Sequence, residues 1–102
     1  ETHPDLDAAG YFTSGDMVEN NPETVEKFQA AMARSLEYAQ ENEDETRAII
    51  GTYTEMDEAL IGEITLPEFR PEFNREATEL LGQLAAEYGT LSDEPNLDEL
   101  LP

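Results

Sequence analysis

Carboxylates dominate the residues that could do chemistry: Asp and Glu number 25, against 5 Lys and Arg. Glu41, Asp44 and Glu45 fall at helical spacing, where two acids could divide the roles of general acid and general base. Such a dyad needs burial to split its pKa values. Nothing apolar surrounds these three, and they stand at a helix start, where the positive end of the dipole favours acids. They are expected to be a solvated helix start. Calcium needs oxygen ligands at a set spacing around a glycine turn. DLDAAG (residues 5–10) lacks the distal Glu in register, and SDEPNLDE (92–99) lacks the loop glycine. His3 has no second His or Cys to share a metal and is expected to be exposed. Ser14, Ser35 and Ser92 sit in no nucleophile-elbow motif, and Gly-rich phosphate loops are absent. Among the aromatics, Tyr11, Phe12, Tyr38, Tyr53, Phe69, Phe73 and Tyr88 could include a ligand-stacking ring, although most fit core positions. The expectation is a protein with no catalytic residue, no metal site and no cofactor.

Bulk composition narrows the class. A chain of 102 residues makes one small domain whose core has little margin. The formal net charge of -20 opposes binding to phosphate backbones, so no nucleic-acid partner is expected. It also opposes docking on anionic lipid. The five basic residues, Lys27, Arg34, Arg47, Arg70 and Arg75, are scattered. Without cysteine there is neither a disulfide scaffold nor a thiolate metal site. No apolar run approaches the roughly 20 residues that span a bilayer. The first residue is Glu1, with no starting Met, so the chain is expected to be a piece of a longer protein.

The elements that would position these side chains are mostly helical. Residues 1–10 read as a loop and YFTS (11–14) as a short strand, broken by Gly15 and Asp16. Asn21-Pro22 announces the first long helix, expected from Pro22 to about Gln40 and about 28 Å long at 1.5 Å per residue. Its apolar stripe is Val25, Phe28, Met32, Leu36 and Ala39. Asn42 with Glu45 has capping-box spacing and starts a second helix with Ala48, Ile49 and Tyr53 inward, weakened by Gly51. Asp57 caps a brief third helix carrying Leu60, Ile61 and Ile64. Pro67 and Pro71 make 65–73 an extended connector. Asn74 caps the fourth helix, whose buried face is Ala77, Leu80, Leu81, Leu84, Ala85 and Tyr88, and Gly89 closes it. A one-turn element begins at Asn96, with Leu97, Leu100 and Leu101 apolar. A lone strand needs partners outside these residues or in another copy of the chain.

The order of these signals resembles the C-terminal region of ABC-importer solute-binding proteins of the nitrate/sulfonate/taurine and thiamine-precursor group, the NMT1/THI5-like family. The resemblance rests on Tyr11 to Ser14, Asn21-Pro22-Glu23, Phe28 with Ala30, Ala31 and Ala33, Asn42, Asp57, Leu66-Pro67, Tyr88-Gly89-Thr90-Leu91 and the tail LDELLP. Glu43 and Glu58 stand where the family often has Pro; both are first-turn positions that accept either residue. The resemblance implies a mostly α fragment, about four helices plus one short strand, from a two-lobed α/β periplasmic-binding-protein type II fold. Residues 1–20 would be loop and return strand, and 21–102 the C-terminal helical part of one lobe. It implies an extracytoplasmic location, as a periplasmic or cell-surface lipoprotein, and two partners of the intact receptor, a small-molecule solute and a membrane permease. Most ligand-holding residues would lie in the preceding two-thirds. Residues 8–14 would lie near the crossover between lobes, which makes Tyr11 the one candidate ligand-binding residue.

Two other classes compete with a binding receptor: a stand-alone acidic helical interaction module, and a small enzyme, for which no site constellation is present. The helix faces that would cover a sheet are apolar, so the fragment is expected to self-associate against the opposition of its own charge.

Overall fold

The computed structural model describes residues 4–102, and His3 lies outside the described residues. Among the described residues six helices follow one another: α1 (Gly15–Asn20), α2 (Pro22–Glu41), α3 (Glu43–Tyr53), α4 (Glu58–Glu63), α5 (Arg75–Glu87) and α6 (Leu97–Leu100). The chain is mostly α, as the periodicity predicts. The expected strand is a correction: among the described residues there is none, and Tyr11–Ser14 run without ladder pairing into α1. Gly15 and Asp16 do not break the chain there. Ser14 is an N-cap whose Oγ accepts from Met17 N–H at 3.2 Å, and Asp16 lies in the first turn, where the dipole favours an acid.

The chain divides into two compact units, residues up to Tyr11 with Glu72–Pro102, and Phe12–Pro71. The Phe12–Pro71 unit holds α1 to α4. Helix α2 has 20 residues, about 30 Å at the standard rise. Pro22 occupies its first turn as predicted, but Asn21 makes no side-chain cap hydrogen bond. Its backbone ends α1 instead, donating to Met17 O at 2.9 Å. Val25, Met32, Leu36 and Ala39 are half-buried, while Phe28 keeps 50% of its surface exposed.

Asn42 alone separates α2 from α3. The capping box predicted there does not form, because both its partners are engaged elsewhere. Asn42 Nδ2 donates back to Tyr38 O (2.8 Å), and Tyr38 Oη donates to Glu45 Oε2 (2.6 Å). Thr46 Oγ1 closes the corner between Ala39 O and Asn42 O, at 3.0 Å each. The inward side of α3 is also rotated from the predicted one. Thr46, Arg47 and Ile50 are half-buried, whereas Ile49 and Tyr53 are exposed.

In α4 the prediction holds: Asp57 Oδ1 accepts from Leu60 N–H (2.8 Å), and Ile61 is buried. Ile61 packs on α3 where Gly51 leaves room; a Cβ at Gly51 would stand 3.3 Å from Ile61 Cδ1. The connector after α4 carries neither helix nor strand, and Phe69 N–H donates to Gln40 Oε1 on α2 at 2.7 Å.

The second unit is built on α5. Asn74 caps it through Oδ1 to Ala77 N–H (2.9 Å), and Asn74 N–H donates in turn to Asp7 Oδ2 (2.7 Å). The N-terminal segment is thereby tied to the start of the helix, and Gly10 packs directly on the Phe73 ring. Gly89, at φ +78°, stands just past α5 in the left-handed conformation the sequence predicts. Its N–H reaches Ala86 O, and Leu91 N–H reaches Ala85 O. Ala77, Gly82 and Leu97 are buried, Leu80, Leu84 and Ala85 half-buried. Leu81 and Tyr88, expected inward, are 46% and 78% exposed. Asn96 caps α6, and Arg75 joins the two helix starts by donating to Asp98 Oδ1 (2.6 Å) and Glu79 Oε1 (3.2 Å).

Burial is thin throughout. The large apolar side chains left exposed include Tyr38, Ile49 and Tyr53 on the α2–α3 pair, whereas the buried apolar set among the described residues is Ile61, Ala77 and Leu97. Helices α1, α2 and α3 contain no buried residue. Amphipathic helices hold their place mainly through apolar burial, so the faces of α2 and α3 are underused as they stand.

Candidate functional site

A polar cluster with four side-chain hydrogen bonds centres on Arg47. Helix α3 directs this side chain toward the end of α4, where Nη1 donates to Ile61 O (2.7 Å) and Ile64 O (2.9 Å). Ile61 O lies in the last turn of α4 and Ile64 is its C-cap, at an end that lacks intrahelical donors and carries partial negative charge. The other side of the guanidinium donates to Glu43 Oε1 from Nη2 (2.7 Å) and Nε (3.0 Å). Arg47 thus works as a clamp between α3 and α4, with only 21% of its side chain exposed. A shallow polar cleft of about 440 Å³ lies beside it, bounded by Gln40, Glu43 and the link from Gly62 to Phe69. With its donors committed to protein oxygens, Arg47 is a structural cation.

On the other side of the same link, α2 and α3 form an open groove of about 650 Å³. Tyr38, Ile49, Ile50, Tyr53, Leu66 and Phe69 give it an apolar lining, and Arg34 and Glu45 are the charged groups that reach it. The volume falls within the range of small-molecule sites. The Tyr38 phenol is held above its usual pKa, first by its hydrogen bond to Glu45 and then by the repulsion of that carboxylate. The groove offers apolar contact and a few polar groups, with no nucleophile set against a base.

The other candidates from the sequence are not gathered into one place. Glu45 serves Tyr38, and Glu41 closes α2 while Asp44 lies in the first turn of α3, both exposed. Ser14 is a helix cap, and Ser35 Oγ donates to Ala31 O (2.9 Å) within its own helix. Asp5 to Gly10 and Ser92 to Glu99 form no ligand cage: among the described residues no three His, Cys, Asp or Glu side chains could hold a metal ion together. No described helix is long and apolar enough to cross a membrane. Tyr11 lies in the irregular stretch before α1, 73% exposed. The clamp of Arg47 is not among the features predicted from the sequence. Its signal was present: a basic residue four positions after Glu43, one helix before a short helix with no basic residue in its last turn.

Residues 1–46 match the family model described as NMT1/THI5 like. The match takes in Tyr11 to Ser14, the Asn21-Pro22-Glu23 start, all of α2 and the α2–α3 corner. The chain is thus similar over that part to a solute-binding family. No curated protein and no solved structure matches it.

Proposed function

We propose that this chain is the C-terminal part of an extracytoplasmic solute-binding receptor of an ABC importer. The observation that carries the reading is the family match over residues 1–46, the segment that holds the return-strand and helix-start signals. In the intact receptor, Tyr11 to Ser14 would pair as a return strand leading into α1, and 21–102 would pack against one lobe of a two-lobed α/β fold. The receptor would capture a small anionic or heterocyclic solute of the nitrate, sulfonate, taurine or thiamine-precursor kind by lobe closure and pass it to a membrane permease. The mechanism is binding, and no residue of this chain is assigned a catalytic role. Tyr11 is its one candidate ligand contact. The unburied faces of α2 and α3 support the reading, since a partner layer would cover them.

Amide hydrogen exchange tests the placement. In the product of a longer reading frame, the amides of Tyr11 to Ser14 are expected to become protected as a strand, and those of α2 to slow. In the chain alone, 11–14 are expected to exchange freely. Equal exchange in both contradicts the placement, as does a reading frame that encodes these residues alone.

The open apolar groove also suits the second reading, a stand-alone acidic interaction module. Either way the chain by itself is expected to self-associate, more so as salt screens its charge. A monomer in sedimentation equilibrium at high protein concentration and moderate salt contradicts this.

A further inference from the structure

We draw no further inference here: the strongest candidate, the open apolar groove between α2, α3 and the 65–69 link, lined by Tyr38, Ile49, Tyr53 and Phe69, carries nothing because nothing in the structure shows what covers it.

Discussion

Replacing Arg47 with Met is expected to destabilise the Phe12–Pro71 unit by about 2–3 kcal/mol. Met keeps most of the aliphatic stem, so the loss falls on the guanidinium. Two part-buried carbonyls, Ile61 O and Ile64 O, lose a charged donor, and a hydrogen bond to a charged group contributes about 1.5–3 kcal/mol net of its exchange with water. The Glu43 contact matters far less, because that carboxylate is 64% exposed. Glu43→Gln is therefore expected to stay within about 0.5 kcal/mol of wild type. Arg47→Lys should fall between, since an ammonium lacks the planar fork that serves α4 and Glu43 together. Urea titration of the three variants checks the order. An Arg47→Met variant as stable as wild type would mean the α4 carbonyls find water at no cost, and the clamp would be an ornament of the surface.

The second large effect is at Gly82. This buried residue lets Pro95 lie against α5: a Cβ there would stand 2.8 Å from Pro95 Cγ and 2.9 Å from Cδ. A proline ring has no rotamer by which to retreat. Overpacking of this kind costs about 1–3 kcal/mol, and the better helix propensity of Ala returns at most about 1 kcal/mol. Gly82→Ala is thus expected to lower stability by about 1–2 kcal/mol. Gly62→Ala in α4 is the control, because a methyl there meets nothing within 4 Å; it should be neutral or stabilising by about 0.5 kcal/mol. Adding Pro95→Ala to Gly82→Ala should recover part of the loss, a coupling that a double-mutant cycle reads directly. Stability gained by Gly82→Ala on its own would show that the segment around Pro95 shifts freely.

Most helix boundaries were legible because caps are local. Asp57, Asn74, Asn96 and Gly89 each act within a few residues of themselves, so spacing alone locates them. The misses come from interactions that reach beyond one helix. Asn42 and Glu45 have capping-box spacing, yet both are drawn to Tyr38 across the corner. The inward face of α3 was misjudged because its apolar residues, Ile49 and Tyr53, stay outside while Thr46 and Arg47 go inward with their polar groups bonded. Gly82 and Pro95 are ordinary residues until their contact is seen. At Ser14-Gly15-Asp16 a helix start has the sequence look of a strand end, because the cap residue is also the last of the β-prone YFTS and glycine follows it.

The failed strand bears on function as well as fold. A β-prone segment such as YFTS needs a neighbouring strand to supply its ladder bonds, and no described residue supplies one. The candidate site was less legible than the fold for a related reason. The chain places many of its chemistry-bearing residues in caps and clamps, and the open groove on α2 and α3 is the feature that remains.

The most direct test of the receptor reading is thermal unfolding of the product of the whole reading frame, titrated with nitrate, taurine, alkylsulfonates and pyrimidine thiamine precursors. One of these solutes is expected to raise its melting temperature progressively with concentration, by about 2.7 kcal/mol of added stability at a hundred times the dissociation constant, while the 102-residue chain alone shows no shift. A ligand-dependent shift in the chain alone, or no shift with any solute of these classes in the whole product, would contradict the assignment.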